Sequence, residues 1–180
     1  MYNSLPKLDP PRNEPVRPYL PNDPETHALK KRLAEMAAET IEIPLIVGGK
    51  EVRTGNLAEN VCPHDHQTVL CRYHTATPEV VEDAIRASQE AWKDWAAMSA
   101  NHRLAIFLRM AELLAGPWRD TVNAATMLGQ SKTCHQAEID SACELIDFYR
   151  FNPYYALTRL YPDQPLSPEG IWDYVEYRPL

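Results

Sequence analysis

The sequence predicts an α/β fold, in the order helix, β-hairpin strands, several α-helices and a final strand. Apolar residues recur at helical spacing from residue 25 and again from residue 77, which predicts amphipathic helices on either side of a β segment. In that segment, IPLIVGGKEV (43–52) places two glycines between short apolar runs, the pattern of a β-hairpin. With 180 residues, of which 44% are hydrophobic, the chain can bury one compact core.

Residues 1–24 are predicted to form a proline-rich N-terminal arm, because they hold seven of the 16 prolines. Proline removes a backbone donor and fixes φ, so the arm is expected to be extended and to lie outside the core. We favour a disordered tail, with a lid or a strap on a neighbouring subunit as the alternative. Residues 25–180 are expected to form one domain.

A first helix is predicted over about 25–39, where Pro24 and Glu25 suit the first turn. After the hairpin, a further strand pair is predicted at 58–62 and 68–75. Both strands precede Thr77, which can cap the next helix.

Four more helices are predicted from residue 77 on. The first carries the apolar stripe Val81, Ala84, Ile85, Ser88, Ala91, Trp92 and Trp95, and the second carries Leu104, Phe107, Leu108, Ala111 and Leu114. The third covers 117–128 and ends at Gly129, and the fourth begins near Thr133 and is expected to kink or end at Pro153. EGIWDYVEYRPL (169–180) predicts the start of a strand, and because no closing element follows it, a truncated protein is expected.

The balance of charge excludes several classes of partner. The chain has 18 Lys and Arg residues against 25 Asp and Glu residues, a net charge of -7, so neither nucleic acid nor an anionic membrane is an expected partner. Apolar runs of about five residues are far shorter than the roughly 20 that span a bilayer, so a soluble protein is expected. No secretory signal is recognisable, and Asp9 and Glu14 are unlike a mitochondrial presequence. We therefore expect free thiols and a cytoplasmic protein, with the mitochondrial matrix as the alternative.

The stretch VCPHDHQTVLCRYH (61–74) contains the side chains Cys62, His64, His66, Cys71 and His74, all of which can bind zinc. Cys71 and His74 differ by three residues and are expected on opposite faces of a strand. The spacing also lacks the two paired-ligand turns of a closed zinc site. We therefore predict no metal and interpret the stretch as a polar turn with two small, half-buried cysteines.

GQSKT (129–133) is similar to the end of a phosphate-binding loop. Thr126 and Ser131 stand where that loop needs glycine, so the backbone cannot wrap a phosphate closely. We predict no nucleotide site here and expect Gly129 to end a helix.

Four carboxylates, Glu138, Asp140, Glu144 and Asp147, follow one another along the fourth helix. Most such charges form a solvated face, and that is the expectation for this group. Glu144 lies between the apolar Cys143 and Leu145, so it is the member that can be turned inward. Spacing alone assembles no Ser/His/Asp or Cys/His arrangement, and the residues by themselves identify no active site.

The order of these segments resembles the N-terminal part of the aldehyde dehydrogenase superfamily. Two helix patterns of that family are present here, as Ala84-Ser88-Trp92-Trp95 and as Arg103-Phe107-Ala111-Leu113-Leu114. Residues 111–156 are similar to the 1-pyrroline-5-carboxylate dehydrogenase branch through LAGPWR (114–119), MLGQSKT (127–133), QAEID (136–140) and ELIDFYRFN (144–152). The resemblance covers roughly residues 25–180.

The resemblance implies NAD-dependent oxidation of L-glutamate γ-semialdehyde to L-glutamate in proline breakdown, by thiolate attack, hydride transfer and activation of water. In that family the catalytic cysteine, the water-activating glutamate and the nucleotide-contacting residues lie downstream of the strand near 171–177. The resemblance therefore implies that the chain lacks most of the nucleotide-binding sheet and the catalytic domain. No residue is assigned to catalysis or to NAD, and the chain alone is expected to be inactive. Glu144 matches a family glutamate that faces the substrate pocket and is the single substrate-binding candidate.

The expected partners are an aldehyde substrate in the complete enzyme, further copies in a homo-oligomer, or a complementing C-terminal portion. The alternative function is a non-catalytic interaction module that binds a full-length relative, with the segment at 171–177 as an exposed strand edge. Much of the apolar helix surface is expected to pack on the missing sheet, so the isolated chain is predicted to be marginally stable and prone to aggregation.

Overall fold

The computed structural model describes residues 7–179, and its elements confirm the predicted α/β architecture. Helix α1 spans Pro24–Ala37, with the proline at its start and Glu25 in its first turn, as the sequence predicts. Residues 1–6 and Leu180 lie outside the described residues. The division of the chain into an arm and a single domain stays a prediction.

Two small sheets follow α1. Strands β2 (Leu45–Val47) and β3 (Lys50–Val52) form the predicted hairpin, and Gly48 and Gly49 both take positive φ in its turn. A residue with a side chain is strained at that φ, which explains why the turn contains glycines.

The second sheet has the order β1-β5-β4. Strands β4 (Leu57–Cys62) and β5 (Asp65–His74) pair antiparallel, as predicted, although β5 begins earlier than residue 68. The sequence analysis does not identify β1 (Ile41–Ile43), which pairs in parallel with β5 and places Ile41 opposite Cys71. Such a short strand has too few residues to show a period of its own.

Helices α2 (Pro78–Ala97) and α3 (Ala100–Ala115) confirm the two long apolar stripes. The hydroxyl of Thr77 accepts the Val80 N–H (3.4 Å), as expected for a cap. No residue of α2 is buried, however, so its apolar stripe remains uncovered within the described residues.

Helix α4 (Arg119–Gln130) packs against α1. It ends one residue beyond the predicted Gly129, and the left-handed residue that follows is Ser131 (φ 55°), not a glycine. Serine adopts this conformation less readily than glycine does, so the residue type at position 131 does not predict the end of α4.

The predicted fourth helix begins after Thr133, which forms a capping box with Gln136. It consists of α5 (Cys134–Ala137), a π-helical segment (Glu138–Cys143), α6 (Glu144–Tyr155) and a second π-helical segment (Ala156–Leu160). Pro153 does not end the helix but lies inside α6, and the wider π turns begin three residues after it.

The core between α3 and α6 is built from small residues. Ala111, Ala142 and Ile146 are buried together, and Leu114 and Tyr149 pack on them. The ring of Tyr149 also stacks on that of Phe107, with 5.8 Å between the centroids. Alanines at the contact let the two helices approach closely, which fixes α6 against the rest of the molecule.

The final strand predicted at 171–177 is not formed in the described part of the chain. Residues 171–179 run as coil, held by the hydrogen bond from Val175 N–H to Gln164 Oε1 (2.8 Å) and by Trp92 Nε1 donating to Pro179 O (2.9 Å). A strand needs a neighbouring strand for its ladder, and none lies beside this segment in residues 7–179. Across the same residues, no helix has the length and apolar character required to cross a membrane.

The arm differs from the favoured expectation of a disordered tail. Residues 7–23 are extended, as predicted, but they lie along α4, the first π segment and α6. The proline-rich composition predicts that the arm forms no helix or strand. It cannot predict that buried charged residues far along the chain bind the arm.

Candidate functional site

Glu144, the predicted substrate-binding residue, opens α6 and is exposed rather than turned inward. A groove of about 370 Å³ runs beside it, lined by Phe148, Phe151 and Tyr155 from α6 and by Asn13 from the arm. The side chain of Glu144 forms no hydrogen bond or ion pair with any other described residue. A free carboxylate beside aromatic rings can bind an ammonium group or accept a hydrogen bond from a polar ligand.

Of the four carboxylates expected on a solvated face, Glu138 contradicts the prediction, because it is completely buried (0% exposed). It is the first residue of the π-helical segment, whose wider turns alter the helical register between Glu138 and Glu144. Asp140 stays exposed and contacts Lys132 (2.5 Å).

The buried partner of Glu138 is Arg119, which is only 2% exposed. The guanidinium donates to both carboxylate oxygens of Glu138, and Asn123 Nδ2 donates to Oε2 (2.8 Å). An ion pair in the protein interior is tolerated only when further hydrogen bonds satisfy both charges, and this pair has them.

The arm supplies the remaining donors to Glu138. The Arg17 N–H donates to Oε1 (2.8 Å), and the Tyr19 hydroxyl donates to Oε2 (3.0 Å). Glu14 of the arm pairs with Arg119 and, at 2.6 Å, with Arg150 of α6. The arm, α4 and α6 therefore meet at one connected set of charges.

Asp147 holds the arm at the edge of the groove. Its two oxygens accept the Glu14 N–H (2.7 Å) and the Asn13 side-chain amide (2.7 Å). Asp147 lies one turn after Glu144 on α6, so the arm is fixed next to the free carboxylate.

The protonation of the network follows from these contacts. Burial disfavours ionised Glu138, but the hydrogen bonds and positive charge of Arg119 outweigh burial and lower the pKa of Glu138. Burial, followed by the charge of Glu138, raises the pKa of Tyr19 to about 12. At neutral pH the carboxylate is therefore charged and the tyrosine hydroxyl is a donor.

None of the four cysteines, all of which lie in the described residues, is an activated nucleophile. Burial and the charge of Glu138 raise the pKa of Cys143 to about 11, and the same two causes raise the pKa of Cys134. Cys62 and Cys71 are buried in the β4–β5 pair. A nucleophilic thiol needs access to solvent, which Cys62 and Cys71 lack, and thiolate character, which the raised pKa values of Cys134 and Cys143 oppose.

The histidines and cysteines of residues 61–74 are distributed over separate contacts. Cys62 Sγ lies 3.3 Å from His64 Nε2, and His64 Nδ1 lies 2.8 Å from Ser131 Oγ. Buried His74 contacts Glu42 (3.1 Å) and accepts the Gly55 N–H (3.1 Å). Within residues 7–179, no group of three or more His, Cys, Asp or Glu residues is placed to hold a metal ion.

Residues 129–133, which are similar to the end of a phosphate-binding loop, join α4 to α5. No strand leads into them, and Ser131 is bound to His64, so they do not form a phosphate cradle.

Sequence reasoning missed the pairing of Arg119 with Glu138. Both residues lie in motifs that carry the family resemblance: Arg119 is the last residue of LAGPWR (114–119), and Glu138 lies in QAEID (136–140). The two motifs meet through a contact between α4 and the π segment that local periodicity cannot reveal.

Comparison with known proteins gives matching results at the levels of sequence and fold. A sequence model of the Aldehyde dehydrogenase family matches residues 51–180. The delta-1-pyrroline-5-carboxylate dehydrogenase of Agaricus bisporus is 46% identical over 176 residues, which are 97% of this chain and 32% of the fungal protein. The mitochondrial delta-1-pyrroline-5-carboxylate dehydrogenase of Dictyostelium discoideum is 40% identical over 170 residues, or 94% of this chain and 30% of that protein.

Among solved structures, the delta-pyrroline-5-carboxylate dehydrogenase from Mycobacterium tuberculosis, bound with NAD and cobalamin, matches with a TM-score of 0.94 at 42% identity. The match covers 100% of this chain and 34% of that one. The chain thus spans about a third of the length of the curated relatives it matches. Its fold is that of their N-terminal part, and the chain belongs to the aldehyde dehydrogenase family.

Proposed function

We propose that the chain supplies the N-terminal part of an NAD-dependent enzyme that oxidises L-glutamate γ-semialdehyde to L-glutamate in proline catabolism. The observation that carries this proposal is the similarity along 97% of the chain to an enzyme named delta-1-pyrroline-5-carboxylate dehydrogenase. The fold match to a further enzyme of that name, at a TM-score of 0.94, supports the same assignment.

Glu144 is the residue that we propose to face the substrate. Its carboxylate has no partner among residues 7–179 and lines an aromatic groove, where the ammonium group of an amino acid aldehyde finds both a negative charge and ring faces. Its role is to bind and orient, because the chain offers no thiol suited to attack an aldehyde.

NAD accepts a hydride in this reaction, but the described residues do not fit a dinucleotide. A glycine-rich dinucleotide-binding turn connects a strand to a helix, whereas residues 129–133 connect two helices. We therefore assign no step of the NAD chemistry to residues of this chain and expect no turnover by the chain alone.

A hybrid enzyme tests the proposal. Residues 1–180 would replace the matching segment of the Agaricus bisporus enzyme, and NADH formation from the semialdehyde would be measured for the hybrid and for the isolated chain. We expect turnover by the hybrid only. Turnover by the isolated chain, or an inactive hybrid that is folded, would contradict the proposal.

Within the same hybrid, Glu144→Ala is expected to raise KM for the semialdehyde by about tenfold, the effect of losing roughly 1.4 kcal/mol of binding. Glu112→Ala, which removes an exposed carboxylate of α3, is the matched control and should leave KM unchanged. An unchanged KM in Glu144→Ala would remove Glu144 from the substrate pocket.

The second candidate function is a non-catalytic module that associates with a full-length relative or with a complementing C-terminal portion. The uncovered apolar stripe of α2 favours it, because such a stripe fits another protein surface. Co-elution of the chain with a full-length relative in size-exclusion chromatography is the expected result for this function, and independent elution argues against it.

We propose the mitochondrial matrix as the compartment, in place of the cytoplasm expected from the sequence. Relatives at 40% identity from Dictyostelium discoideum and 39% from Homo sapiens carry names that state a mitochondrial location. Imaging of the tagged protein in its own cells tests this, and a diffuse cytoplasmic signal would contradict it.

A further inference from the structure

The contacts of the arm are polar almost throughout. The arm seat, defined here as Arg119, Asn123, Glu138, Asp147 and Arg150, binds the segment 13–19 through charged groups and hydrogen bonds. One more ion pair links Arg17 to Asp120 of α4 (3.6 Å). Because ion pairs and charged hydrogen bonds carry the arm, its binding responds to charge and to salt.

Apolar burial contributes little to this attachment. Val16 is 47% exposed and Leu20 is 57% exposed, so neither side chain is anchored in the core. A segment held in this way can leave its seat without opening the hydrophobic core between α3 and α6.

The base of the arm carries a strained residue. Tyr19 has φ 48°, in the left-handed region that residues with bulky side chains rarely adopt. Its hydroxyl donates to buried Glu138 (3.0 Å) and accepts from Asn123 Nδ2 (3.1 Å). These bonds hold the strained backbone in place, so losing them removes the reason for Tyr19 to remain in that conformation.

Two features of the molecule lie beneath or beside the arm. Cys143 is 5% exposed, and its Sγ lies 3.9 Å from the Pro15 carbonyl oxygen. Asn13 lines the groove that contains Glu144. Departure of the arm therefore uncovers a thiol and removes one wall of the groove.

We propose that the arm is a polar latch: the segment 13–19 binds its own arm seat as one unit, and its release, with the rest of the fold intact, uncovers Cys143 and opens the arm side of the Glu144 groove. The latch does not depend on the proposed enzymatic function, because it rests only on contacts within this chain. The sequence left open that the arm is a strap on a neighbouring subunit. In the proposed latch the arm binds its own chain instead.

The test is the rate at which N-ethylmaleimide labels each cysteine of the full 180-residue chain, resolved by mass spectrometry of peptides. Glu14→Gln, which weakens the pairs with Arg119 and Arg150, is expected to speed the labelling of Cys143 by about tenfold. Tyr19→Phe, which removes the two hydrogen bonds of the hydroxyl without changing charge, should act in the same direction. Arg12→Gln is the matched control and should leave the rate unchanged, because Arg12 is exposed and its side chain forms no hydrogen bond or ion pair with the described residues.

Cys62 and Cys71 report on the rest of the fold, because they are buried in the β4–β5 pair, away from the arm. Faster labelling of Cys143 alone supports the latch, whereas equal acceleration at Cys62 and Cys71 shows general unfolding and overturns it. Labelling of Cys143 that is unchanged in both variants also overturns it. Protection of Cys143 that disappears on dilution would place the arm of a second copy on the seat and overturn the assignment within one chain.

Added salt gives a measurement that needs no variant. In the unsubstituted chain, higher ionic strength screens the partly exposed ion pairs of the arm, Arg17–Asp120 and Glu14–Arg150, and should speed labelling of Cys143 relative to Cys62. A ratio of the two rates that does not respond to salt would contradict the polar nature of the latch.

Discussion

At the scale of single residues, the buried pair of Arg119 and Glu138 dominates the structure of this chain. Two opposite charges can be buried as a hydrogen-bonded pair, but one of them buried without the other lowers the free energy of unfolding strongly. Arg17 and Tyr19 of the arm also donate hydrogen bonds to Glu138. The side chain of Glu138 therefore holds both the helices and the N-terminal segment in place.

Glu138→Gln is expected to lower the free energy of unfolding by about 3 to 5 kcal/mol, because it removes the fully buried counter-charge of Arg119 and leaves the guanidinium only its pair with Glu14 of the arm. Urea unfolding followed by circular dichroism measures the change. Glu112→Gln, which breaks an exposed pair with Arg109, serves as control and should cost less than about 1 kcal/mol. Equal effects of the two substitutions would refute the importance assigned to burial.

The pH dependence of stability follows from the lowered pKa of Glu138, whose neighbours are Arg119, Asn123, Tyr19 and Cys143. A carboxyl group with a lowered pKa in the folded chain stabilises it fully above the unfolded value of about 4.3, and this contribution is lost as the pH falls through the lowered value. The stability difference between the unsubstituted chain and Glu138→Gln should thus be constant near neutral pH and shrink below about pH 4. A difference that stays constant down to pH 3 would argue against a charged Glu138.

At the scale of secondary-structure elements, local chemistry accounts for most boundaries. Proline starts α1 and α2, a capping box starts α5, and a glycine pair turns the β2–β3 hairpin. The π-helical segment is the exception, since no proline, glycine or capping side chain marks its start at Glu138.

Two glycine substitutions are expected to have opposite effects on stability. Gly49→Ala places a side chain at φ 76° with no neighbouring atom to clash, so backbone strain alone should destabilise the chain by about 1 to 2 kcal/mol. Gly129→Ala lies inside α4 in open space and should stabilise it by up to about 1 kcal/mol. Thermal melting of both variants checks the signs, and a shift in the same direction for both would contradict the interpretation.

At the scale of the whole molecule, the chain exposes far more surface than its size requires. Its accessible surface is 12994 Å², whereas a compact monomer of 20.5 kDa exposes roughly 9,000 Å². Part of the excess is apolar: Val81, Ile85 and Trp92 on α2 are each more than 40% exposed. The notion of a marginally stable chain prone to aggregation remains a prediction, and this surface supports it.

Ile85→Lys is expected to reduce concentration-dependent association of the isolated chain several-fold, because it breaks the apolar stripe of α2. Gln89→Lys, which adds the same charge to another exposed position of α2, is the control and should have a smaller effect. Light scattering over a concentration series provides the measurement, and equal effects would indicate that net charge, not the stripe, controls association.

The sequence by itself determined the order of the main helices, the β2–β3 and β4–β5 strand pairs and the resemblance to a family, because these depend on periodicity and on residues close together in the chain. Only the tertiary structure decided that Glu138 is buried while Glu144 is exposed, that β1 pairs with β5, and that the arm is bound. Each of these depends on partners far apart in sequence, as with Glu14 and Arg150. A charged side chain has the same local signature whether it meets water or a buried counter-charge, and only the folded arrangement supplies that difference.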